Sequence, residues 1–168
     1  MQTKSSRIKL DNEEQVYAYA MNLLNYRDYS GKDMLLRLLG KGADEKDSQR
    51  VIARLKANGF ISEKHYAEQV LRAWLAKKVY GRLHLSAELH RKNVSEDMIP
   101  EMLEKFTDEL EMKNAMCAAK QFIQRNDKKI KNNDEKITAA AVRFMANRGF
   151  TGRHIQVLLE QIRAENDM

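Results

Sequence analysis

Apolar residues return at spacings of three and four along almost the whole chain, and each run is cut after a few turns by Gly, Asn, Asp or Ser. That period puts the apolar side chains on one face of an α-helix and leaves the opposite face to water. Residues 59–103 show the pattern most fully. Gly59-Phe60 closes one helix, since a residue that tolerates the left-handed region followed by an apolar one is a helix stop. Ser62 can cap the next helix by accepting one of its unpaired amides. That helix carries two neighbouring stripes, Tyr66, Val70, Trp74 and Ala67, Leu71, Leu75. Tyr80-Gly81 breaks it. A second helix follows with Leu85 and Leu89. Ser95 caps a third, with Met98, Ile99, Met102, Leu103 and Phe106 inward. Helices this short and this close in sequence pack as antiparallel or crossed hairpins. One Pro and seven Gly in 168 residues are too few turn formers for a β-sandwich. The chain is expected to be all-α.

The same punctuation recurs on both sides. Residues 1–11 are polar and basic and read as a flexible N-terminus. Asp11 or Asn12 caps a helix with Val16, Ala20, Leu23 and Leu24. Ser30 caps one with Met34, Leu35, Leu38 and Leu39, and Asp44 one with Val51, Ile52 and Leu55. Downstream, a helix from Asp108 carries Met112, Ala115, Met116, Ala119, Phe122 and Ile123. Residues 125–134, RNDKKIKNND, are poor in apolar side chains and read as an exposed basic loop. A helix from about Asp134 to Arg148 and a last one capped by Thr151 complete nine. They form three copies of a three-helix unit, at 12–60, 61–107 and 108–168. Tyr29-Ser30-Gly31-Lys32 and Phe150-Thr151-Gly152-Arg153 share an aromatic, a hydroxyl, a glycine and a base, and Tyr80-Gly81-Arg82 is a weaker copy. At one constant offset, Met34, Leu38, Lys41, Val51 and Leu55 map onto Leu85, Leu89, Lys92, Met102 and Phe106. The expected architecture is a set of tandem three-helix repeats forming an elongated, curved helical array. Pro100 sits awkwardly, five positions into the helix assigned to Ser95, because it has no amide to donate.

Little in the chain can make or break bonds. Cys117 is the sole cysteine, which excludes an internal disulfide and suits a reducing compartment. Its apolar neighbours make it a buried, inert thiol. His65, His84, His90 and His154 have no i, i+4 pairing for a metal and read as surface or helix-end residues. Gly40-Lys41-Gly42 lacks the spacing of a phosphate loop, and there is no G-x-S-x-G turn. The carboxylates of residues 96–111 lie among lysines on a helix surface. A cytoplasmic, monomeric non-enzyme without cofactor or metal is expected, and no apolar run approaches the roughly 20 residues that span a bilayer.

The bases are more informative. Net charge is +6. Arg72, Lys77, Lys78, Arg82, Arg91 and Lys92 fall close together with Glu88 the one acid among them, and Lys128, Lys129 and Lys131 form a second group. Such clusters suit nucleic-acid phosphate or an acidic protein groove. Without exposed aromatics interleaved to stack on bases, contact would be blind to sequence.

Taken in order, these elements resemble the RecX family of RecA regulators. The resemblance lies in Gly59-Phe60-Ile61, Ser62-Glu63, Tyr66-Ala67, the run from Arg72 to Lys78, Gly81-Arg82, Leu85, Glu88-Leu89 and Lys92-Asn93-Val94. Arg148-Gly149-Phe150 is similar to the family's terminal element, and the opening YRDYSGKDMLLRLL to its first-repeat turn. Asn93 stands where a glycine is usual, and Ser62 where an acid is commoner. The resemblance, over about residues 12–163, implies a non-enzymatic protein that lies in the groove of the RecA–DNA filament and restrains it, with the nine bases above as its contacts to RecA or, non-specifically, to single- or double-stranded DNA. A direct DNA-binding regulator and a generic helical scaffold are the competing readings.

Overall fold

The computed structural model describes residues 10–132 and 135–166. Among these the chain forms nine helices and no strand. They are α1 (Glu13–Leu24), α2 (Gly31–Gly40), α3 (Glu45–Ala57), α4 (Glu63–Leu75), α5 (Arg82–Arg91), α6 (Ile99–Lys105), α7 (Asp108–Lys131), α8 (Ile137–Ala146) and α9 (Arg153–Asn166). Side-chain caps start five of them. Asn12, Ser30, Asp44, Ser62 and Thr107 each accept an amide of the first turn that has no partner within the helix. Residues 1–9 and Asp134, expected as a flexible tail and as a helix start, lie outside the described residues.

The apolar stripes make three cores. Leu10 to Ile61 supply the first, Tyr66 to Phe106 the second and Ala115 to Ile162 the third. All substantial helix packing falls within α1–α3, α4–α6 or α7–α9. The offset seen in sequence has a physical meaning. Met34, Leu38, Val51 and Leu55, and their counterparts Leu85, Leu89, Met102 and Phe106, are all fully buried. The turns after α2 and α5 also correspond. Gly42 has φ +87° and Asn93 φ +55°, so Asn takes the left-handed position where the first triplet uses Gly.

Two expectations fail here. Residues 125–131 are not a loop but the last two turns of α7. Ile130 continues the stripe of Phe122 and is 1% exposed, so one apolar residue anchors both turns. Asn126 Nδ2 donates to Phe122 O at 2.9 Å, and Lys131 pairs with Asp127 at 3.1 Å, one turn apart. The lysines also sit at the negative end of the helix dipole. Ser95 does not cap α6, which begins at Ile99. Pro100 thus falls in the first turn, where its missing amide costs nothing.

Each triplet is joined to the next through the start of its second helix. At the first joint Glu63 Oε1 accepts from Gly31 N at 2.9 Å and from Lys56 Nζ at 2.8 Å. At the second, Glu111, 3% exposed, accepts from Arg82 N at 2.8 Å and from Arg82 Nε at 3.2 Å. Backbone meets backbone beside it. Gly81 N donates to Arg148 O at 2.8 Å and Leu83 N to Gly149 O at 3.2 Å. A Cβ on Gly149 would lie 2.2 Å from His84 N, and φ there is +79°. Gly149→Ala should therefore cost more than about 2 kcal/mol, since both backbone conformation and contact are lost. Gly42→Ala, equally left-handed but in open space, should cost about 1 kcal/mol. Urea midpoints compare the two, and equal losses would show that the joint tolerates a methyl group.

Candidate functional site

The turn between α1 and α2 lies against the outer side of α4 and brings the first triplet up to the second. The cleft between them has a volume of about 460 Å³. Val70, Ala73 and Trp74 supply its apolar wall, and Arg27, Lys77, Arg91 and Lys92 its cations, against only Asp28 and Glu88. Tyr66 Oη donates to Lys92 O at 2.9 Å and fixes the end of α5 over the wall.

Glu88 is the centre of the charge pattern. Its side chain is 11% exposed, Arg91 donates to both its oxygens at 2.8 and 2.9 Å, and Lys77 stands 4.0 Å away. Burial alone would raise its pKa, but Arg91, Lys77 and Lys92 outweigh it and hold the carboxyl below the usual range. One carboxylate thus answers three cations. Asp28 is taken by Gln69 Nε2, and Arg27 by Asp33 at 2.8 Å. What remains toward solvent is a net positive cleft with a partly apolar floor.

Of the nine bases singled out in the sequence, three converge here: Lys77, Arg91 and Lys92. Arg72 and Lys78 are exposed nearby, the first on α4 and the second in the turn after it, with φ +55°. Lys128, Lys129 and Lys131 are exposed at the end of α7, in the third triplet. Arg82 is bound inward. Besides Glu111 it donates to Leu103 O at 2.7 Å and to Phe106 O at 2.5 Å, which closes the C-terminus of α6. It is a structural clamp, because a guanidinium with three internal acceptors has little left for a partner. Arg27 was missed. It lies far upstream in sequence and joins the cleft only because the α1–α2 turn packs on α4; no local pattern marks it.

One further expectation is corrected. Cys117 is exposed, and its neighbour Met116 is 52% exposed. The stripe of α7 turns through Ala115, Ala118 and Ala119, which places both residues on the outer side. The four histidines lie near helix ends, as expected, but two of them are not on the surface. His154 is 7% exposed, with Nδ1 3.9 Å from Glu111. His84 is half-buried, stacks on Tyr80 at 4.0 Å and accepts from Trp74 Nε1 at 2.8 Å. Among the described residues no group of His, Cys, Asp and Glu could hold a metal ion, and no helix is long and apolar enough to cross a membrane.

Comparison with known proteins gives a consistent picture. Residues 17–55 match the family model described as RecX, first three-helix domain. The protein named Regulatory protein RecX from Chlorobium phaeobacteroides is 28% identical over 151 residues, covering 90% of this chain and 95% of that one. Its namesake from Mycobacterium avium is 28% identical over 156 residues, covering 92% and 89%. The crystal structure of RecX from Lactobacillus salivarius superposes with a TM-score of 0.77 at 18% identity, over 90% of this chain and 97% of that chain. A second, titled crystal structure of regulatory protein RecX, gives 0.74 at 17% identity, over 88% and 73%. At these identities the structures establish the fold.

His84 should make the joint sensitive to pH. Burial, reinforced by Lys77, holds its imidazole below the ordinary value. The neutral ring is the form that accepts from Trp74, so its contribution to stability is complete above the unfolded pKa of about 6.5 and is lost as pH falls toward the lower folded value. Unfolding midpoints in urea should fall between about pH 7 and 5, and His84→Gln should flatten that slope. An unchanged slope in the variant would assign the effect elsewhere.

Proposed function

Because the chain belongs to the RecX family, we propose that it is a non-enzymatic regulator that binds the RecA–DNA filament and restrains recombinase activity. The observation that carries this reading is the cationic cleft between the first two triplets, where Glu88 is outnumbered by Lys77, Arg91 and Lys92. Triplets joined end to end offer a long surface with repeated contact points, which suits a polymeric partner better than a small molecule. The chemistry of the cleft agrees. Its cations can meet acidic side chains or phosphate, and its Val70–Ala73–Trp74 floor can bury apolar surface from a protein.

A direct DNA-binding regulator with weak sequence preference is the second reading, favoured by the exposed Lys128 and Lys129 on α7. It requires duplex binding that survives physiological salt without RecA.

The filament reading is tested with the cognate RecA. Substoichiometric protein should slow ATP hydrolysis and strand exchange, and no effect on either would reject it. A Lys77→Glu, Lys78→Glu, Lys92→Glu variant should lose at least about tenfold in inhibitory potency, the scale of a few charged contacts, while its melting temperature stays within a few degrees of the wild type. Inhibition at full potency would show that another face makes the contact. Arg82→Glu is expected to lower the melting temperature instead, since it breaks the second joint.

A further inference from the structure

Among the described residues, the third triplet holds a cation that the fold leaves without an acid. Arg148 follows α8 and is half-buried, with its backbone carbonyl fixed by Gly81 N at 2.8 Å. Its guanidinium lies 3.7 Å over the Phe144 ring. Nη1 makes one long contact, 3.5 Å, to Phe144 O, and Nε is buried with no partner. Among the described residues no carboxylate pairs with it. Burial, and after it the cation Arg125 on α7, lower its pKa, against an opposing effect of Tyr80. Phe144 packs on Phe122 at 5.0 Å, one turn before Arg125, so the two arginines flank one aromatic step. A half-buried guanidinium with an unpartnered Nε, and a second cation one turn beyond the aromatic pair it rests on, make a place that an anion would stabilise.

We propose that Arg148 and Arg125 form a phosphate-binding site for a nucleic-acid backbone. The inference rests on the filament reading and deepens it, by assigning this part of the surface to the DNA of the filament. Continuity with the first cleft supports a linear polyanion. Lys77, in the cleft, also stands 5.8 Å from the Tyr80 ring, and the next residue, Gly81, donates its N–H to Arg148 O at 2.8 Å. The cations therefore run from Arg27 through Lys77 and past Tyr80 to Arg148 and Arg125, touching all three triplets. Phosphates repeat along a strand as these cations repeat along the array. Arginine suits the role, because its planar fork can hold two phosphate oxygens at once, and rotation off Phe144 would free that fork. Contact of this kind positions a strand without reading its bases.

The test is binding of a fluorescent oligothymidylate, and of a duplex of the same length, measured by anisotropy over a range of salt without RecA. Arg125→Gln removes an exposed side chain and leaves the Phe144 packing intact. It should weaken binding to at least one probe about tenfold and reduce the slope of log affinity against log salt by about 0.7 to 0.9. Arg148→Gln should do the same, and Arg148→Lys should restore the slope but not the affinity. Wild-type protein that binds neither probe, or Arg125→Gln with unchanged affinity and slope on both, would overturn the proposal. Loss of RecA inhibition in Arg125→Gln with DNA binding unchanged would also overturn it, and would leave the filament reading standing with a protein carboxylate at this place.

Discussion

The structure depends on how the end of one helical triplet meets the start of the next. Each triplet closes around some ten buried apolar residues, which is a small core for holding three short helices in one arrangement. The joints supply what the cores lack. At the second joint a buried carboxylate, Glu111, faces the first amide and the guanidinium of Arg82, while Arg82 also closes the carbonyl end of α6. A buried charge left alone is costly, so neither partner can move without the other. The Gly81–Gly149 contact beside it brings two backbones closer than any side chain would permit. The first joint repeats the device with Glu63 and the amide of Gly31.

This arrangement decides which charges remain for a partner. Arg82 is consumed by the joint, and Arg27 is half-consumed by Asp33. Around Glu88, by contrast, three cations share one carboxylate, and among the described residues no carboxylate pairs with Arg148. The net positive charge of the chain is thus not spread evenly over the surface. It is concentrated where adjoining triplets leave more bases than acids, and these places follow one another along the array. Local surplus matters more than total charge, because cations already paired within the protein contribute little to association.

Much of this was legible from residues alone. The caps at Ser30, Asp44 and Ser62, one of the two candidate caps before α1, and the inward stripes of α3 to α6 follow from local rules, and the structure has each of them; Leu39 of α2, by contrast, is exposed. The failures share a cause. Residues 125–131 look polar, yet Ile130 alone holds two helical turns against the core. Cys117 looks buried among apolar neighbours, yet the alanines of α7 carry the inward face and leave it outside. Arg82 looks like a surface base, and its acceptors, Leu103 O, Phe106 O and Glu111, lie 21 to 29 residues away. Local pattern sets which side chains could be inside, but only packing sets which of them are.

What the sequence determined by itself is the type of element and most of its limits, since helix period, capping and left-handed stops act within a few residues, together with the repetition of the triplet. What the tertiary structure decided is which charges are paired. The cleft gathers Arg27 with Lys77, Arg91 and Lys92 across the first joint, and Arg148, without a carboxylate partner among the described residues, is placed where the end of α8 meets the α4–α5 turn. Such pairings depend on distances between segments far apart in the chain, and Coulomb interactions follow space, not sequence order.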